Sequence, residues 1–216
     1  MPDVHLPQID DHEDEEQPLS VSRNQHRSTK TFFKVALEVV LISIGVFLGI
    51  AGEQWRESAR RHEVAVTSLG RLRVEVETNL KAVERVQEYH SKIFKVVETY
   101  DKSHDKKELD AMPFRGLQPV KFAHTAWDLA MATQSLADID PDLTFALART
   151  YDEQQSYAEL SRGILQSMYI RPPGQDLNGF MQAVEIYYGD ITLMEPGLVK
   201  LYNDLLPKID HALSQK

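Results

Sequence analysis

Residues 32–52 read FFKVALEVVLISIGVFLGIAG, and from Val35 to Gly52 only Glu38 carries a charge. Eighteen residues rising 1.5 Å each cover about 27 Å, close to the roughly 30 Å hydrocarbon core of a bilayer. The stretch therefore predicts a single transmembrane helix, with the lipid bilayer as a partner. The polar sequence on either side defines the rest of the organisation. Residues 1–30 hold the acidic run Asp10, Asp11, Glu13, Asp14, Glu15 and Glu16 with little to bury, and predict a disordered polar tail. Residues 31–52 form the predicted transmembrane helix, and residues 53–216 the predicted α-helical bundle domain.

Arg23, Arg27, Lys30 and Lys34 make a basic collar before the apolar segment, the pattern of a cytoplasmic flank. Arg56, Arg60 and Arg61 follow the other end and weaken that asymmetry. A short N-terminal tail keeps its positive charges inside, while a long C-terminal part crosses whatever its charge. The expected localisation is a bacterial inner membrane, single-pass, N-terminus cytoplasmic and C-terminal domain periplasmic. The rival is a cleaved signal peptide, with Gly49 and Ala51 at the small-residue positions, but its n-region would be long and acidic.

The chain has 216 residues and a net charge of −9, which argues against a nucleic-acid partner, since phosphate binding needs clustered Lys and Arg. It contains no cysteine, which excludes disulfides, thiolate metal sites and cysteine nucleophiles. No His-Glu-x-x-His, Glu-x-x-His, Gly-x-Ser-x-Gly, Walker loop or dinucleotide glycine fingerprint occurs. Asp101, His104 and Asp105 read as solvated loop residues. No catalytic role, metal or cofactor is expected.

No proline lies between Pro18 and Pro113. Leu69, Leu72, Val76, Leu80, Val83, Val86, Ile93 and Val97 recur mostly at three- and four-residue steps. The membrane helix thus continues as a long helix, about 72 Å from Glu53 to Tyr100 if Gly70 does not bend it. Residues 101–120 read as a polar connection, and Phe122–Ala137 as a helix with the small face Ala126, Ala130, Thr133 and Ala137. Asp140-Pro141-Asp142 predicts a helix start, with an Asp cap and Pro at the first position. That helix should run to Met168, with Leu143, Leu147, Tyr151, Ala158, Leu165 and Met168 inward, and stop at Arg171-Pro172-Pro173-Gly174. A shorter helix, Asp176–Tyr188, should stop at Gly189. The last, Pro196–Leu213, should kink or restart at Pro207. The fold class is all-α: one N-terminal transmembrane helix continuing into a long helix, then an antiparallel bundle of four or five helices.

The run ALEVVLISIGVFLGIAGEQWRESARRHE, residues 36–63, resembles the start of a family of uncharacterised bacterial single-pass inner-membrane proteins. Such proteins share a short polar tail, a membrane helix with one early carboxylate, and an exit motif of Gln or Asn before Trp. Glu38 and Gln54-Trp55-Arg56 carry that likeness here. Thr125–Tyr157, TAWDLAMATQSLADIDPDLTFALARTYDEQQSY, is similar to a second segment of the family. The resemblance implies architecture and location, and no activity.

Lys34, Glu38, Gly45, Gly49 and Gly52 fall on one face of the membrane helix, and Gly45 and Gly49 form a GxxxG that permits close helix approach. This face is the candidate contact for a homo-oligomer or a membrane protein partner, against the plain reading of common membrane glycines. Glu38 reads as a proton-binding carboxylate or, more simply, as an interfacial partner of Lys34. Gln54, Trp55 and Arg56 read as an interfacial anchor. Trp127, Asp128, Gln134, Asp140 and Tyr151 are the candidate pocket or packing group. Asp138 and Asp142 lie beside them, and caps and solvated acids are the plain alternative. Tyr157, Tyr169, Tyr187, Tyr188 and Tyr202 read as core-edge residues. The expected function is a membrane-anchored helical scaffold or accessory subunit acting through protein–protein contacts. A ligand-sensing extracytoplasmic bundle and a proton-coupled subunit using Glu38 are the alternatives.

Overall fold

A computed structural model of the chain describes residues 25–103, 107, 110, 112–170 and 177–215, and among these there is no strand. Helix α1 is Gln25–Ser103, α2 Thr125–Ala132, α3 Pro141–Ile170 and α4 Leu177–Ser214, with a 3-10 turn Ser135–Asp138 before α3. The protein is all-helical with a long N-terminal apolar helix. The chain divides into two compact units, Met1–Trp55 and Arg56–Lys216.

In the first unit, α1 begins at Gln25, inside the stretch read as tail; residues 1–24 lie outside the described residues. Among the described residues, α1 is the one helix long and apolar enough to cross a membrane. Nothing in its most apolar window is buried by protein.

In the second unit, the stripe on α1 is the core. Leu69, Leu72, Val76, Leu80, Val83, Ile93 and Val97 are buried and Val86 half-buried, and Gly70 does not interrupt the helix. Helix α1 runs past Tyr100 to Ser103, so Asp101 is helical rather than part of a connection; His104 and Asp105 lie outside the described residues. The next helix is shorter than its pattern suggests. Gln134 adopts a left-handed conformation (φ 55°), which ends α2 and starts the 3-10 turn. Of the small face, Ala130 is buried and Ala126 half-buried, while Thr133 and Ala137 are exposed.

Helix α3 starts as the sequence predicts: Asp140 Oδ1 accepts from the Leu143 amide at 3.0 Å, with Pro141 at the first position. Leu143, Leu147 and Tyr151 are buried, and Ala158, Leu165 and Met168 half-buried. Residues 171–174, the expected stop, lie outside the described residues.

Two expected helices are one. Helix α4 passes through Gly189, Pro196 and Pro207 without a break. Gly189 is a packing glycine rather than a terminator: a Cβ there would stand 3.3 Å from the edge of the Phe94 ring on α1. Both prolines lie on the exposed side of α4, where a carbonyl left without its amide partner remains accessible to water. Met181, Val184, Tyr187, Tyr188, Ile191, Leu198, Tyr202, Leu205 and Ile209 form the buried stripe of α4, in one core with α1 and α3.

Candidate functional site

Residues 112–124 have no regular structure, so their backbone groups need partners from elsewhere. Buried polar side chains on the helices supply them. Asn79 on α1 donates to the Ala123 carbonyl at 2.8 Å and accepts from the Ala123 amide at 2.8 Å, both faces of its amide engaged. Glu75, one turn earlier and 7% exposed, accepts from the Ala126 and Trp127 amides at 2.7 and 3.2 Å. Its carboxylate therefore sits on the first turn of α2, where unpaired N–H groups and the helix dipole favour a negative charge. Tyr151 donates its hydroxyl to Glu75 at 2.7 Å from α3.

The start of the segment is tied similarly. Tyr89 donates to the Gly116 carbonyl at 2.6 Å and accepts from the Arg115 amide at 2.9 Å, with the Arg115 guanidinium 5.5 Å from its ring centre. Tyr188 on α4 donates to the Gly116 and Leu117 carbonyls. Gly116 (φ 87°) and Gln118 (φ 48°) take left-handed conformations that turn the chain into these partners. His90, fully buried, directs Nδ1 to Glu195 at 2.6 Å and Nε2 to the Gln118 carbonyl at 3.1 Å. Tyr157 also donates to Glu195, at 2.9 Å. Every long helix of the second unit thus contributes a buried polar group to holding this segment.

Between the segment and α3 opens a cleft of about 670 Å³. Trp127 stacks on Tyr151 with ring centres 4.6 Å apart and planes 15° off parallel. Trp127, Asp128 and Tyr151 line the cleft, so the structure brings together three of the five residues singled out from sequence. Gln134 and Asp140 do not join them: one ends α2 and the other caps α3. Gln154, unremarked in the sequence, lies in the same lining and is 3% exposed. Its Oε1 accepts from Asn79 at 3.1 Å, while its Nε2 has no partner. Asp128 pairs with His124 at 2.5 Å. Among the described residues no group of His, Asp or Glu is arranged to hold a metal ion.

In the first unit Lys34, Glu38, Gly45, Gly49 and Gly52 are all exposed, and a Cβ built at any of the three glycines meets nothing within 4 Å. Gln54, Trp55 and Arg56 are exposed too, Trp55 by 80%. No family model, curated protein or solved structure compared with the chain matches it.

Burial raises the phenols of Tyr151, Tyr157, Tyr187, Tyr188 and Tyr202 above their ordinary range; hydrogen bonding to Glu75 adds to the effect for Tyr151, and the charge of Glu195 adds to it for Tyr157. An unfolded tyrosine ionises near pH 10, whereas these stay protonated in the fold. Their stabilisation is whole below about pH 10 and is lost above it, by up to about 1.4 kcal/mol per pH unit for each residue. Denaturant titrations at stepped alkaline pH should show this fall, with cooperative tyrosinate absorbance at unfolding. Asn79→Ala strands both backbone groups of Ala123 and should lower the unfolding free energy by about 2–4 kcal/mol. Chemical denaturation of the detergent-solubilised protein measures it.

Proposed function

We propose that the chain is a single-pass membrane protein whose helical C-terminal part serves as a scaffold or accessory subunit, acting through protein–protein contacts. One observation carries this reading. Thirteen large apolar side chains between Phe32 and Ile50 are about half exposed or more among the described residues. Burying each is worth about 1.5–3 kcal/mol, so leaving the set in water is opposed by on the order of 20–40 kcal/mol. A core helix of a soluble protein would have its apolar window inside. Lipid, with a partner helix on the glycine face, is the medium that suits this one.

On this reading residues 53–216 form an antiparallel helical bundle on the far side of a bacterial inner membrane, with residues 1–30 cytoplasmic. The basic collar Arg23, Arg27, Lys30 and Lys34 supports it. Trp55 anchors the helix at headgroup depth. Lys34 and Glu38, one turn apart and both exposed, lie at the other interface. Gly45 and Gly49 supply a surface without side chains, where another helix backbone approaches closely and gains van der Waals contact. The reading is of a binding protein rather than an enzyme.

The test is association of the intact protein in native membranes and in mild detergent. Wild type should self-associate or co-purify with a membrane protein. Gly45→Ile with Gly49→Ile should weaken that association by about tenfold or more, equivalent to about 1.4 kcal/mol. A doubly substituted protein that keeps all of its contacts would contradict the glycine face as the interface.

A further inference from the structure

We infer that residues 112–124 occupy, in cis, a groove that binds an extended segment of a partner protein, and that they hold this groove shut until such a segment displaces them. The inference goes beyond the scaffold reading. No residue of the glycine face enters it, so either can fail without the other.

Helix side chains bond this segment by its backbone. Asn79, Tyr89 and His90 on α1 and Tyr188 on α4 make seven contacts, each ending on a main-chain atom of Arg115, Gly116, Leu117, Gln118 or Ala123. Among the described residues, the one backbone hydrogen bond inside the segment runs from the Phe114 amide to the Met112 carbonyl at 2.8 Å. The helices thus hold the segment as proteins hold extended peptides, where main-chain bonds supply affinity to any chain on the same path and side-chain pockets supply selectivity. The pockets are few. Leu117 and Val120, 5% and 6% exposed, join the core. Phe122, half-buried, sets its ring edge-on to Tyr157 with centres 5.4 Å apart. Gly116 has φ 87°, a conformation that glycine adopts freely. The segment that fits reads Gly-apolar-x-x-apolar and has no helix or strand of its own.

The same features let the contact open. A segment with two buried apolar anchors and almost no backbone bonds of its own separates at a lower free energy than the whole domain unfolds. The groove keeps its shape when the segment leaves. Its side chains stand on two continuous helices, and Asn79 stays bonded to Gln154 and His90 to Glu195. An opened groove leaves Asn79, Tyr89 and Tyr188 short of partners beside exposed core, a state that another backbone on the same path relieves. A competitor in trans meets a tethered rival at an effective concentration of roughly millimolar, which keeps the groove closed to unrelated chains.

The test uses the full-length protein in mild detergent and a fluorescent synthetic peptide of residues 112–124. Leu117→Ser with Val120→Ser removes both anchors from the resident segment and leaves the groove side chains in place. The peptide should bind this double variant saturably, and about tenfold or more tighter than it binds wild type, whose groove is filled. Adding Asn79→Ala should weaken that binding by about tenfold. Native-state hydrogen exchange of the wild type is the second measurement, and it decides the matter if the double variant does not fold. The Arg115 and Ala123 amides should exchange through one shared opening, about 100-fold or more faster than the Val83 and Ile93 amides of α1. Four results would overturn the inference: a helical double variant that ignores the peptide; a scrambled peptide that binds as well; a double variant that dimerises in place of taking up the peptide; or Arg115 and Ala123 amides that exchange only with global unfolding.

Discussion

From Phe32 to Ile50 the large apolar side chains of α1 lie exposed among the described residues, and the proposed architecture follows from that exposure. Helix α1 carries two different surfaces along one continuous backbone. From Phe32 to Ile50 large apolar side chains occur on every side of the helix and are exposed. From Ala65 to Tyr100 they are apolar along one stripe, and that stripe is buried. An all-round surface suits lipid, because lipid has no preferred side; a stripe suits a folded core, because a core lies on one side only. The change comes near Trp55 and Arg56, where the chain also divides into its two compact units.

The second unit is organised around a segment that makes little structure of its own. Residues 112–124 have left-handed turns at Gly116 and Gln118, and they depend on Asn79, Tyr89, His90 and Tyr188 for hydrogen bonds. The buried polar groups that hold the segment are themselves mutually connected: Glu75 with Tyr151, Asn79 with Gln154, His90 with Glu195 and Tyr157. Such networks are costly when incomplete and specify geometry when complete. The cleft is a by-product of this bracing. The segment is held at residues 115–118 and at Ala123, and Trp127 and Gln154 are in the lining of the cleft beside it.

Much of this was legible in the residues. The stripe Leu69 to Val97 emerged because apolar periodicity reports burial directly. Asp140-Pro141 announced α3 because capping is local chemistry. Gly189 misled because a glycine that ends a helix and a glycine that admits a neighbouring ring look alike until Phe94 is placed against it. Gln134 hid the end of α2 because a non-glycine residue rarely adopts positive φ. Glu75, Asn79, His90, Gln154 and Glu195 were overlooked because polar residues are read as solvated. The signal was present: each continues the three- and four-residue steps of the buried stripe on its own helix. What sequence cannot supply is the long-range partner, here 44 residues away for Asn79 and 105 for His90.

The most direct measurement is extraction of the full-length protein from isolated cell membranes with alkaline carbonate and high salt, followed by detergent. Residues 32–52 in lipid predict a protein that stays in the pellet through carbonate and salt, leaves it only with detergent, and retains its N-terminal segment on mass analysis. Full-length protein in the carbonate supernatant, or mature material that begins after Ala51, would contradict the account.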